Sequence, residues 1–136
     1  MERRAAKELL HIRGWLTRAD EIVARGKTAY LADDLLQEAG DSLMMKLGEA
    51  AGRLSKLDVL APDRVDWALA IANRNFIIHR YDEIDREQTW LTLSADLPAW
   101  RTSLDSLFSE AESDLTSAAD SADRAERPNR APKLGD

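Results

Sequence analysis

Between Pro62 and Asp82 the chain carries a stretch that is apolar on almost every side of a helix: Val65, Trp67, Ala68, Leu69, Ala70, Ile71, Ala72, Phe76, Ile77 and Ile78. A surface helix shows one apolar stripe and one polar face, whereas a helix without a polar face has to bury its surface on several sides. The segment from Arg64 to about His79 is therefore expected to be a central helix, part of it against its own bundle and part against a second subunit. Pro62 disfavours helical geometry in the residue before it, so Asp63 is the expected N-cap. Polar residues enter only near the far end, and there they come close together: Arg74, Asn75, His79, Arg80 and Tyr81.

The remaining segments are amphipathic in the ordinary way. From Glu2 to about Arg25, residues Leu9, Ile12, Leu16, Ala19 and Val23 recur at spacings of three and four, and Gly26 can end that helix in a left-handed cap. Thr28 can cap a second helix reaching about Leu57, striped by Leu31, Leu35, Ala39, Leu43, Leu47, Ala50 and Leu54. Gly40, Gly48 and Gly52 would let another helix come close to it. Met44 and Met45 read as fillers of irregular gaps, while Glu49 stands out as a carboxylate one turn from these small residues.

Asp85 with Gln88 three residues on resembles a capping box. It starts a fourth helix carrying Trp90, Leu91, Leu93, Leu97, Trp100, Leu104, Leu107 and Phe108, with Pro98 predicting a kink or break near Asp96. Both tryptophans read first as packing residues. These elements make an all-α, antiparallel bundle of four to five helices over residues 1–112. Residues 113–136 hold Ser, Ala, Asp and Glu, then Arg127-Pro128-Asn129-Arg130, with few large apolar side chains to offset the entropy of ordering. They are expected to form a disordered tail or a frayed helix end.

A chain of 136 residues is expected to make one domain. With no cysteine, thiolate metal sites are excluded; with only His11 and His79 as imidazoles, a histidine-rich site is not expected, and no cofactor is implied. His11 reads as a surface or boundary residue. The net charge of -6 argues against sequence-independent binding to duplex nucleic acid, though a local basic cleft remains compatible with it. No signal peptide or membrane span is evident, which fits a cytoplasmic protein with no membrane role.

A guanidinium, an imidazole, an amide and a phenol within eight residues offer a fixed cation, a proton shuttle, an orienting group and a modifiable hydroxyl. Arg74 and His79 are five residues apart, hence roughly 140° apart around an ideal helix, and would not share a ridge. Asn75 and His79, four apart, would. Two copies of the helix crossing at a twofold axis would bring paired arginines and histidines into one cleft. Such a cleft suits a phosphodiester: histidine moves a proton, arginine neutralises charge on the phosphoryl oxygens, and no metal is needed. The plainer reading pairs Arg74 with Glu49 or Asp82, uses His79 to cap the helix C-terminus, and packs Tyr81.

The run Arg74-Asn75-Phe76-Ile77-Ile78-His79-Arg80-Tyr81, an arginine, four residues, a histidine, one residue and a tyrosine, resembles the signature of HepT-like toxins of the HEPN superfamily. The stretch from Ala32-Asp33-Asp34 to Arg53-Leu54-Ser55 is similar to that family's second helix, and Asp85 to Pro98 to the segment after its motif. The resemblance spans about residues 5 to 110. It implies a helical bundle that dimerises through the motif helix. It also implies a metal-independent ribonuclease centre in the dimer cleft formed by Arg74 and His79, with Asn75 as the accompanying polar residue and Glu49 as a possible support. It further implies a toxin-antitoxin pair in which an MntA-like nucleotidyltransferase antitoxin silences the toxin by adenylylating Tyr81. A non-catalytic interaction module, holding a nucleotidyltransferase or a nucleotide on the same helix face, is the alternative.

Overall fold

The computed structural model describes residues 1–130, and its regular elements among those residues are all helical. They are α1 (Arg3–Val23), α2 (Lys27–Ala32), α3 (Asp34–Lys56), α4 (Trp67–His79), α5 (Arg86–Leu91) and α6 (Leu97–Arg130), with a 3-10 turn at Tyr81–Glu83 and a π turn at Thr92–Asp96. The fold is an all-α bundle in which α1 packs against both α3 and α6. Its stripe of Leu9, Ile12, Leu16 and Ala19 is buried as the spacing requires, meeting Leu54, Leu93, Leu104 and Phe108. Each such leucine or isoleucine removed from water contributes about 1.5–3 kcal/mol before the entropy of ordering is counted.

Tyr30 is fully buried in the same core and needs a partner for its hydroxyl. It shares a hydrogen bond with Thr89 Oγ1 at 2.5 Å, tying α2 to α5. Beside it, Arg86 donates two hydrogen bonds to Asp41, at 2.7 and 3.0 Å. Those bonds raise the guanidinium pKa above its ordinary value and brace α5 against α3.

Several boundaries differ from those the sequence suggests. The expected second helix is two: Asp33 caps α3 by accepting from the Leu35 N–H at 2.9 Å, and Gln37 donates its side-chain amide to the carbonyls of Tyr30 and Leu31 to hold the joint. Thr28 thus lies inside the first turn of α2, after Gly26 at φ 91°. The motif helix starts at Trp67 and its cap is Asp66, which accepts from the Leu69 N–H at 3.2 Å. Asp63 instead sits in a turn closed by the Val65 N–H on the Pro62 carbonyl, with Arg64 in the left-handed region at φ 70°.

The break near Pro98 takes the form of the π turn, in which the Leu97 N–H donates to the Thr92 carbonyl five residues back. The wider turn accommodates a proline that has no N–H to give and would crowd an α-helical carbonyl. Finally, α6 continues as helix to Arg130, the helical of the two forms, disorder or a frayed helix end, that the sequence left open for the tail. Alanine, glutamate and arginine between 111 and 127 favour helix once the packed part has nucleated it. Residues 131–136 of that tail lie outside the described residues.

The largest departure concerns α4. It packs mainly against α3, with Trp67 and Ile77 as its buried residues, and is peripheral where centrality was expected. Leu69 (65% exposed), Phe76 (44%) and Ile78 (36%) face solvent in the single chain. The reason is visible at Gly48 of α3: a Cβ there would lie 2.7 Å from the Ala70 carbonyl oxygen and collide with the Arg74 Cβ. Glycine lets α4 press onto α3 along one edge, which leaves the opposite edge uncovered.

Candidate functional site

The close approach at Gly48 fixes where Arg74 goes. Its aliphatic stem lies against α3 and its head emerges half-buried between the two helices. Nη1 donates to Asn75 Oδ1 at 3.1 Å, while Nη2 reaches Glu49 Oε1 at a long 3.5 Å. Nε is buried without a hydrogen-bond partner. A guanidinium carries five N–H donors in a planar fork; two are used here, and of the rest it is the Nε–H that is buried without a partner among the described residues. An ion pair at 3.5 Å between groups a third or more exposed contributes little, on the order of 0–1 kcal/mol.

Three of the residues read from the sequence thus stand together: Arg74, Asn75 and Glu49. Of the two acids considered for Arg74, the partner is Glu49; Asp82 is not among its contacts. His79 is elsewhere. It is the last residue of α4, exposed, and its imidazole has no hydrogen bond among the described residues. The helical angle between positions 74 and 79 puts the arginine on the α3 side and the histidine toward solvent, so one chain does not aim both at a single phosphate.

Tyr81 opens the 3-10 turn after the helix and is 73% exposed, so it does not pack as the plainer reading would have it. Its neighbour Arg80 pairs with Glu83 at 3.3 Å, leaving the phenol accessible. Around His79, the uncovered edge of α4 consists of Leu69, Ala72 and Phe76, which follow at spacings of three and four and share one side of the helix. The motif histidine therefore sits at the end of an apolar strip, and the motif arginine behind it.

The sequence did not single out a cavity beside α4 that begins at Leu69, the first residue of the strip. It is bounded by α3, α4, α5, the π turn and α6, has a volume of about 390 Å³, and is walled by residues including Arg64, Asn73, Gln88, Asp96 and Trp100. Nothing in the spacing of those residues marks them as neighbours, because the left-handed Arg64 and the π turn that gather them leave no periodic signature.

A family model described as "Ribonuclease HepT-like" matches residues 12–107, which include α3, α4 and the whole motif. No curated protein and no solved structure matches the chain.

Proposed function

The chain belongs to the ribonuclease HepT-like family, and from that premise we propose that it is the ribonuclease toxin of a toxin-antitoxin pair, cutting RNA at a cleft between two copies of α4. The observation that carries this reading is the separation of the two motif residues. Arg74 is anchored on the α3 side with an unanswered Nε, and His79 is exposed at the end of an uncovered apolar strip. A twofold partner laid on Leu69, Ala72 and Phe76 would cover that strip and bring a second set of motif residues alongside the first.

In such a cleft His79 would take the proton of a ribose 2′-hydroxyl or return one to the departing 5′-oxygen. Arg74 would neutralise the charge gathering on the phosphoryl oxygens. Asn75 already accepts from Arg74 and would hold its head in place, with Glu49 supporting from α3. No metal is needed for these steps.

Tyr81 is the proposed point of silencing by an MntA-like nucleotidyltransferase. The phenol oxygen attacks the α-phosphorus of ATP, the bond to the β-phosphate breaks, pyrophosphate leaves, and the phenolic proton passes to a base or solvent. The adduct adds a negative charge and bulk two residues from His79.

The test is RNA cleavage by the purified chain in chelator. Wild type cleaves, and His79→Ala and Arg74→Ala each fall by about 10²-fold or more; equal cleavage by all three overturns the assignment. Mass spectrometry after incubation with the partner and ATP should place adenylate on Tyr81, and a Tyr81→Phe chain should remain unmodified and active. One observation favours a second reading. Glu49 already reaches Arg74, as in a structural pair, so the chain could be a non-catalytic module that holds the nucleotidyltransferase. In that case His79→Ala leaves partner binding and the growth phenotype intact.

A further inference from the structure

The cavity between α4 and the π turn borders the motif helix at Leu69, Ala70 and Asn73, and shares Leu69 with the uncovered strip. Arg64, Asn73, Gln88 and Asp96 on its wall make no side-chain hydrogen bond or ion pair among the described residues, although many other charged side chains in the bundle are paired. Regular helix presents Asn73 and Gln88, while two irregular pieces of backbone place Arg64 and Asp96. Arg64 adopts φ 70°, a conformation L-residues rarely take, and the π turn ends at Asp96. Both features are enriched where backbone geometry serves a site. The indole of Trp100, held edge-on against Trp67 at 5.9 Å, borders the same space.

We propose that this cavity takes one guanine base of the RNA, and so gives the ribonuclease a sequence preference. The inference rests on the function proposed above for its substrate. Its volume of about 390 Å³ falls within the roughly 300–1,000 Å³ of small-molecule sites.

The choice of base follows from the donor and acceptor inventory. A carboxylate only accepts hydrogen bonds. Guanine alone presents two adjacent donors on its pairing edge, N1–H and the N2 amino group, and can meet both oxygens of Asp96. Adenine and cytosine would each set a ring-nitrogen lone pair against that carboxylate, and uracil offers a single N–H between two carbonyls. The amides of Asn73 and Gln88 can donate to guanine O6 and N7, Trp100 offers an aromatic surface, and Arg64 at the rim is placed for the adjoining phosphate.

Calorimetric titration of the full chain with GMP and with AMP tests the pocket without requiring cleavage. Saturable GMP binding at least about tenfold tighter than AMP is expected, and Asp96→Asn, an exposed and isosteric change, should abolish the preference while circular dichroism stays unchanged. Equal affinity for the two nucleotides, absence of saturable binding, or a preference that survives Asp96→Asn overturns the proposal. Mapping of cut sites in a random RNA pool separates it from the parent reading. The wild type should show guanine enriched at a fixed offset, and the cuts that Asp96→Asn still makes should lose that enrichment. GMP selectivity without any cleavage keeps the pocket and sinks the ribonuclease assignment; cleavage without guanine enrichment or GMP selectivity does the reverse.

Discussion

Helices α1 and α4 make opposite use of their residues. α1 is rich in charge, yet its stripe of Ala5, Ala6, Leu9, Ile12, Leu16, Ala19 and Ile22 is buried from end to end. α4 is apolar on nearly every side, yet only Trp67 and Ile77 are buried, and Leu69, Phe76 and Ile78 stay in contact with water. Hydrophobic content alone does not decide which helix becomes the centre of a bundle. What decides it is whether the apolar residues are concentrated on the faces that neighbours can reach. In α1 they are; in α4 they exceed what α3 can cover, and the surplus is a surface of the kind that marks interaction sites.

Substitutions can break or sharpen that contrast. The largest effect is expected in the core that α1 organises. Leu54→Ala removes a fully buried side chain and should destabilise the fold by about 2–5 kcal/mol in urea unfolding. Next comes the seam between the two regions. Gly48→Ala places a methyl group against the Ala70 carbonyl and the Arg74 stem, and should cost about 1–3 kcal/mol. Because it also pushes α4 away from α3, spectral changes should concentrate in α4 and leave α1 untouched.

Phe76→Ala, on the uncovered edge, should lower the unfolding free energy of the isolated chain by less than about 1 kcal/mol while shifting sedimentation from the proposed dimer toward monomer. If it proves as damaging to the monomer as Leu54→Ala, α4 is a core helix after all and the contrast fails. The smallest change should come from Arg13→Ala. It removes an exposed 3.0 Å pair with Glu112 that links α1 to α6, and should stay within about 0.5 kcal/mol in the same assay.

Much of this arrangement could be read in the sequence. Spacings of three and four gave the buried face of α1 and, from Leu43 to Leu54, that of α3, although Leu35 and Ala39 of the same stripe are exposed, and Gly48 was recognisable as a place of close helix approach. The failures came where short-range chemistry overrides periodicity. Asp33 looks like any polar position on a long helix until its carboxylate is found bonded to the Leu35 N–H, which ends one helix and starts another and leaves Leu35 75% exposed. Asp63 is the cap that Pro62 suggests; the turn through Arg64 keeps it ahead of the helix and leaves Asp66 to cap. At the site, the angular separation of Arg74 and His79 followed from their spacing. The contact from Arg74 to Glu49 was one of two open choices, because a pairing between helices depends on how they cross.

The π turn between α5 and α6 has a mechanical consequence. An α-helix advances by about 100° per residue, so the five residues Thr92–Asp96 act as a phase shifter between two otherwise continuous helical segments. Deleting one of them would allow a smoother rod but would rotate everything beyond it by more than a quarter turn. Leu104 and Phe108 would swing off α1 and their polar neighbours would swing on. The irregularity is thus a timing element: it sets the angle at which the longest helix of the bundle meets its first.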